Sequence, residues 1–97
     1  MKTSVAVKLQ TGFFERTDFK LIIAADGLVF KPIAKIGNEL VISGASIKTV
    51  TFYEAKLKME IHSDSLTDAY FKNKNDWLDT MKTLKEKTGI KLICEMN

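Results

Sequence analysis

The residues best suited to nucleophilic chemistry are neighbours in the chain, at His62, Ser63 and Asp64. A serine activated by a histidine, which a carboxylate in turn orients, is the usual arrangement for acyl transfer. Adjacent residues of an extended chain point to opposite faces, so these three side chains cannot converge on one reacting atom. We therefore expect His62 to be an exposed histidine at the end of a strand.

A second candidate for chemistry is a carboxylate pair, because Asp76 and Asp79 are three residues apart and would share one face of a helix. Negative side chains in the first turn stabilise the positive end of a helix, which explains both residues without catalysis. The single Cys94 and the single His62 exclude a disulfide framework and a zinc finger. The sequence also lacks a glycine-rich phosphate loop and a nucleophile elbow. We expect no catalytic residue, no metal and no cofactor, and hence a protein that is not an enzyme.

Lysine dominates the basic residues. Arg16 is the single arginine among fifteen basic residues, which stand against twelve acidic ones and give a formal net charge of +3. Arginine holds phosphate with two parallel hydrogen bonds whereas lysine acts as a point charge, so this ratio argues against a dedicated phosphate reader. Two consecutive aromatic residues in a loop beside Arg16 could insert into a membrane interface or hold a peptide. Phe13 and Phe14 are therefore candidates for a ligand or partner surface.

Short alternating segments separated by turn residues fill the first two thirds of the chain, which is typical of an antiparallel sandwich or barrel. Asp26-Gly27 predicts a tight hairpin, with Gly27 as a structural glycine. Pro32 cannot donate to a strand ladder and marks the end of the third strand. The seven predicted strands cover residues 4–10, 19–23, 28–31, 39–43, 47–53, 56–62 and 66–72.

The apolar period then changes to that of a helix. The apolar face of this predicted helix consists of Trp77, Met81, Leu84 and Thr88. Asn73 or Asn75 can cap its start, and Gly89 follows as the structural glycine that ends it. Acidic residues at its start and lysines toward its end agree with the helix dipole. We predict a C-terminal helix over residues 74–88.

Trp77 is the largest apolar group on this helix, so we expect it to be buried, with a strand residue such as Val7 or Phe71 among its neighbours. After the helix, residues 90–97 form a short strand or a tail. Its apolar side chains either pair with a sheet edge of the same molecule or add a strand to a neighbour, which makes a homodimer the alternative. No linker or repeat divides the chain, and we predict one domain over residues 1–97.

Several segments carry a resemblance to a known fold: the run Leu21–Phe30, the apolar positions of residues 42–50 and of 57–61, the segment Ala69–Phe71, and Trp77. This pattern resembles the pleckstrin-homology-like (PH-like) superfold, and most closely its GRAM-like domains and their small bacterial relatives. The resemblance implies a mainly β barrel or sandwich of about seven antiparallel strands, closed by one C-terminal capping helix. In members that read phosphoinositides, basic residues on the first two strands hold the headgroup. The comparable positions here are Lys8, Arg16 and Lys20, without the doubled basic pattern of those members. With Phe13 and Phe14, these residues complete the candidate ligand or partner surface that the resemblance implies.

Two functions from different classes follow. The first is a non-enzymatic binding or scaffolding module of the PH-like or GRAM-like type, which engages a protein partner or a membrane surface. The alternative is a small β-barrel that binds single-stranded nucleic acid within a lysine-rich groove by stacking bases on aromatics such as Phe13, Phe14, Tyr53 and Tyr70. Nucleic acid would be favoured if those aromatics converged on one face with the strand lysines Lys8, Lys20, Lys31, Lys56 and Lys58, and the binding module if these lysines scattered. The reduced cysteine and the lack of a signal-peptide core predict a cytoplasmic location.

Overall fold

The structure, a computed structural model, describes residues 4–13, 15–33 and 37–95. Within these ranges the chain forms eight strands, one α-helix and one turn of 3-10 helix. The strands are β1 (Ser4–Gln10), β2 (Arg16–Ala24), β3 (Gly27–Pro32), β4 (Leu40–Ser43), β5 (Thr49–Tyr53), β6 (Lys58–His62), β7 (Leu66–Phe71) and β8 (Leu92–Glu95). The α-helix, α1, is Lys74–Lys87, and the 3-10 turn is Gly44–Ser46.

All eight strands belong to one sheet, in the order β4-β3-β2-β1-β7-β6-β5-β8. Neighbouring strands are antiparallel except for β5 and β8, which run parallel. The predicted mainly β fold with a C-terminal helix is confirmed. Seven of the strands pair antiparallel, as predicted, and an eighth strand, β8, pairs parallel to β5.

The core is formed by the side chains on the inward face of the sheet, since each strand alternates its side chains between two faces. Inward-facing residues of every strand from β1 to β7 are buried, and α1 packs against β2 and β7. The largest fully buried side chains are Trp77, Phe30, Phe52, Leu21, Leu28, Met59, Ile61, Leu84, Val7 and Val50. Because each strand contributes every second residue to this cluster, the intervening residues form an outer face.

Trp77 is buried, with 0% of its surface exposed, as predicted. Its ring meets Phe52 edge to face, with ring centroids 5.8 Å apart and an angle of 79° between the planes. The indole nitrogen Nε1 donates a hydrogen bond to the carbonyl oxygen of Lys58 at 3.2 Å. The aromatic contact is thus with β5, and the sequence did not single out Phe52 as a neighbour.

The start of β2 lies earlier than predicted. Arg16 pairs with Gln10, so the β1–β2 ladder continues through residues that the sequence assigned to a loop. Leu57, predicted as a strand residue, instead lies in the turn before β6 with a φ of 49°. Alternation alone cannot detect this, because Leu57 keeps the apolar phase of Met59 and Ile61 while its backbone is left-handed.

Gly27 serves a different purpose from the one predicted. The two loop residues of the β2–β3 hairpin are Ala25 and Asp26, while Gly27 pairs with Ala24 as the first residue of β3. A Cβ atom at Gly27 would collide with the carbonyl oxygen of Ile42 on β4. The glycine is therefore required by the close approach of the neighbouring backbone.

The helix ends are set by side chains. Asn73, one of the two predicted caps, accepts a hydrogen bond from the Asp76 amide at 2.8 Å. At the other end, the Thr88 hydroxyl and amide both donate to the Leu84 carbonyl, at 2.6 and 3.0 Å. Gly89, predicted to end the helix, has no positive φ, and a Cβ atom at this position would meet nothing within 4 Å. Thr88 ends the helix, and Gly89 is not needed for it.

The segment after the helix returns to the sheet. Residues 92–95 pair with residues 50–53, and the Val50 amide donates to the Lys91 carbonyl at 3.0 Å. Ile90 and Leu92 pack against the core. Of the two predicted alternatives, this chain shows the intramolecular strand.

Changing Trp77 to Ala should lower the free energy of unfolding by about 3–5 kcal/mol, because it empties the largest buried volume and leaves the Lys58 carbonyl without its donor. Chemical denaturation with circular dichroism measures this loss. Leu78→Ala is the matched control, since Leu78 lies on the exposed side of the same helix. Equal stability of the two variants would contradict the packing described above.

Truncation after Gly89 should lower the free energy of unfolding by about 2 kcal/mol, because it uncovers the apolar contacts of Ile90 and Leu92 and the edge of β5. In dilute solution the truncated chain should have the same oligomeric state as the full chain, because β8 pairs within its own chain. Truncation after Glu95 leaves β8 intact and is the control. A melting temperature equal to that of the full chain would show that β8 contributes nothing.

Candidate functional site

The outer face of the sheet between β5 and β2 carries an unusual concentration of charged and aromatic side chains. Strand register places Tyr53 beside Lys58, Lys58 beside Tyr70, Tyr70 beside Lys8, and Lys8 beside Asp18. We call this surface the charged face; it consists of Lys8, Gln10, Arg16, Asp18, Tyr53, Lys58, Glu60, His62, Asp68 and Tyr70. Five of the eight strands contribute to it, so it exists only when β1, β2, β5, β6 and β7 have paired.

Lys58 is the centre of the charged face, with only 13% of its side chain exposed. Its Nζ atom lies 2.9 Å from Glu60 and 3.7 Å from Asp68, and 5.3 and 5.9 Å from the ring centroids of Tyr53 and Tyr70. Burial alone would lower the pKa of Lys58, but the hydrogen bond to Glu60 and the two carboxylate charges outweigh it and raise the pKa. Lys58 therefore stays charged.

Glu60 connects this lysine to the histidine. It accepts a hydrogen bond from Lys58, lies 3.0 Å from His62 Nε2, and receives the Tyr53 hydroxyl at 3.4 Å. The hydrogen bond from Lys58 is the main reason that the pKa of Glu60 is lowered, and His62 adds to the effect. His62 thus contacts the residue two positions away on its own strand, as the two-residue period allows, and Ser63 and Asp64 do not join it.

Arg16 forms the other end of the charged face. Its guanidinium carbon lies 3.8 Å from the centroid of the Tyr70 ring, and Nε donates to Gln10 Oε1 at 3.3 Å. The Gln10 amide in turn donates to the Phe13 carbonyl at 3.2 Å and holds the β1–β2 loop. A guanidinium that lies over a ring and is held at Nε has its orientation restricted before any ligand arrives.

The predicted surface residues divide between the charged face and its surroundings. Lys8 and Arg16 belong to it, although Lys8 is already paired with Asp18 at 3.2 Å. Phe13 lies in the adjoining loop with 89% of its surface exposed. Lys20 lies farther along β2, opposite Lys31, and Phe14 is outside the described residues.

The strand lysines named for the nucleic-acid hypothesis converge only in part. Lys8 and Lys58 lie with Tyr53 and Tyr70. The other three lie elsewhere: Lys20 and Lys31 are opposite each other on β2 and β3, and Lys56 is in the turn before β6. Each of the two converging lysines contacts a carboxylate. Sequence analysis did not identify Glu60 and Asp68 as site residues. Alternation indicates that their side chains point outward, but the residues that they contact depend on the strand order, which the sequence does not give.

Other parts of the described chain add little chemistry. An open cleft of about 620 Å³ lies between the β2–β3 turn, the 3-10 turn and the end of α1, where Lys48 and Lys91 are its basic residues. Among the described residues, no three His, Cys, Asp or Glu side chains are grouped so that they could hold a metal ion. No helix there is long and apolar enough to cross a membrane.

Changing Glu60 to Gln should destabilise the protein by about 1 kcal/mol at neutral pH, because Lys58 loses its closest counter-ion. The pKa of Glu60 is lowered in the folded state, so its stabilisation is present above the ordinary carboxyl pKa and is lost as the pH falls through the lowered value. Urea titrations across that range should show the two proteins converging in acid. Glu86→Gln, on the exposed side of α1, is the control; a gap that persists in acid contradicts the assignment.

Known proteins share this fold without sharing the sequence. The sequence matches no protein-family model, and no curated protein matches it in sequence. Among solved structures, the chain is similar to one in the structure of the Spt16D Pob3N heterodimer, with 16% identity and a TM-score of 0.75 over 97% of this chain. It spans about half the length of that solved chain, 54%. At this identity the likeness shows the fold alone, and the fold is PH-like, as the sequence predicted.

Proposed function

We propose that the chain is a non-enzymatic binding module that engages a protein partner through the charged face and the neighbouring β1–β2 loop. The observation that carries this proposal is Arg16, stacked on Tyr70 and held at Nε by Gln10. Among the described residues no carboxylate pairs with it. Its terminal amino groups are therefore oriented donors that a partner carboxylate can meet with two hydrogen bonds.

Phe13 supplies the apolar part of the same surface. It is 89% exposed and only three residues from Arg16. The hydrogen bond from Gln10 to the Phe13 carbonyl connects the loop backbone to the residue that also holds Arg16. Aromatic and arginine side chains are the commonest energetic anchors of protein interfaces. Phe13 and Arg16 together favour a peptide segment in which an acidic residue lies close to an apolar one.

The balance of charge on this face favours protein over membrane. Lys8, Lys58 and Arg16 are matched in number by Asp18, Glu60 and Asp68, and two of the three cations are in ion pairs. Attraction to an anionic membrane requires a surplus of positive charge within a Debye length of the surface. The balanced charges do not supply that surplus.

The same contacts disfavour single-stranded nucleic acid. Bases stack on open aromatic faces within a basic groove. Here Arg16 covers one face of Tyr70, and Lys58 lies near both tyrosine rings. A base would have to displace these cations, and the phosphates would meet Glu60 and Asp68.

The fold comparison supports the same choice. The similar solved structure is a heterodimer, an assembly of two proteins. Within the PH-like fold we further propose the GRAM-like type, on the hydrophobic spacing of residues 21–71, and a cytoplasmic location, on the single Cys94. We also propose that residues 1–97 act as one domain.

A photo-crosslinking amino acid at position 13, in cells of the source organism, should capture a discrete protein, identified by mass spectrometry. The same amino acid at Leu78 on α1 is the control and should not capture it. The purified partner should bind the wild-type chain in titration and should bind the Arg16→Ala variant at least tenfold more weakly, because the stacked guanidinium is removed. Arg16→Lys keeps the positive charge but lacks the planar guanidinium and its two parallel donors, so it should recover only part of the lost affinity. Equal capture at positions 13 and 78 would refute the proposed surface.

Vesicles and an oligonucleotide test the other partner classes. Neutral vesicles, vesicles with phosphatidylserine or phosphoinositide, and an oligo-thymidine strand should bind weakly and without selectivity at physiological salt. Micromolar binding to one of them that Lys8→Ala or Arg16→Ala abolishes would replace the protein-partner proposal.

A further inference from the structure

Strand β4 forms one edge of the sheet and carries neither the charged residues nor the proline that often protect an edge strand. Its four residues, Leu40–Ser43, include no charge and no proline. Val41 is 64% exposed, and Leu40 is exposed as well. In the described part of the chain, β4 pairs with β3 and with no other strand. Natural proteins usually place lysine, proline or a bulge on such an edge, because an open edge is a template for another strand.

The backbone of β4 has hydrogen-bonding groups that point away from the sheet. Gly44 donates its amide to the Asp26 carbonyl at 2.7 Å, so this residue faces the β3 side. Residues of an antiparallel strand alternate between the two neighbours, and Ile42 therefore also faces β3. Val41 and Ser43 consequently direct their amide and carbonyl groups toward the open edge.

The sequence of β4 is complementary to itself. Paired antiparallel strands keep each side chain opposite one on the same face. A twofold axis at Val41 meets this condition: it places Val41 opposite Val41 of a second copy, and Leu40 opposite Ile42. Glu39 would then lie opposite Ser43, so apolar residues meet apolar ones and polar residues meet polar ones.

The outer face continues this complementarity. Ile22, Val29 and Val41 are aligned in one row across β2, β3 and β4. Beside them is a shallow depression of about 210 Å³, lined by Val29, Val41 and Ala24 among others. Pairing two copies at Val41 would join their apolar rows into one that crosses the axis.

We propose that β4 pairs with β4 of a second copy of this chain, antiparallel and centred on Val41. The charges nearby permit it, because β4 itself carries no charged residue and Glu39, just before it, is paired with Lys31 at 3.6 Å. Four residues a side bury roughly 600–800 Å² in total, less than the 1,200 Å² or more of stable interfaces. The dimer is therefore weak and forms at high protein concentration. This surface is separate from the charged face.

Sedimentation velocity from about 20 µM to about 2 mM should show a monomer–dimer equilibrium in the wild-type chain. Val41→Lys places two like charges opposite each other at the axis and should weaken dimerisation at least tenfold. Val41→Thr keeps a β-branched side chain and should dimerise like the wild type. Leu66→Lys is the matched control, since Leu66 is an exposed leucine, 58% exposed, on β7. A wild-type chain that stays monomeric, or a dimer unaffected by Val41→Lys, overturns the proposal.

A disulfide tests the register. In a chain with Cys94→Ser, Val41→Cys should form a covalent dimer under mild oxidation, since Cα atoms of paired strands lie about 5.5 Å apart. Leu66→Cys in the same background should form far less. Melting curves of each variant establish that it is folded. Equal crosslinking at positions 41 and 66 would show random collision and overturn the pairing.

Discussion

The structure depends most on the contact between Trp77 and Lys58. The indole is buried against Phe52 and donates to the Lys58 backbone carbonyl, which fixes the start of β6. Just before it, the Leu57 carbonyl accepts the Phe71 amide at 2.8 Å and joins the turn to the end of β7. The Lys58 side chain leaves from the other side of this backbone and pairs with Glu60. One residue therefore links the core, through its main chain, to the charged face, through its side chain.

The charged face shows how the proposed binding surface is built on strands without a pocket. Its order comes from register, which brings Arg16 of β2 over Tyr70 of β7 although β1 lies between the two strands. Partial burial strengthens the central pair, because Lys58 and Glu60 are screened less than exposed charges. The periphery, with Arg16 and the Phe13 loop, stays accessible. A rigid centre with an accessible rim lowers the entropic cost of binding, because the surface loses less conformational freedom when a partner binds.

Much of this fold could be predicted from the sequence, because alternation identifies strands and the buried face without knowledge of their neighbours. Helix α1 was predicted from its apolar period and its cap at Asn73. Alternation could not detect the left-handed Leu57, nor the parallel pairing of β8, which depends on where the helix delivers the chain. For the site, Lys8 and Arg16 were identified from the positions that the resemblance to the PH-like fold implies. Their contacts with Asp18 and Tyr70 follow from the strand order, which no local pattern contains.

The two proposed surfaces have a geometric consequence when they are taken together. A twofold axis normal to the sheet at Val41 leaves the outer faces of both copies on the same side. Ile22 is level with Val41, and Arg16 lies six residues along β2 from Ile22. Arg16 and its symmetry mate would then be five strand spacings, about 24 Å, apart across the sheet and about 40 Å apart along the strands, or roughly 45 Å in all. A partner with two acidic segments at that separation would bind both copies, and the second contact would benefit from an effective concentration in the millimolar range. A weak dimer is sufficient for this, because the partner itself supplies the free energy that holds the two copies together.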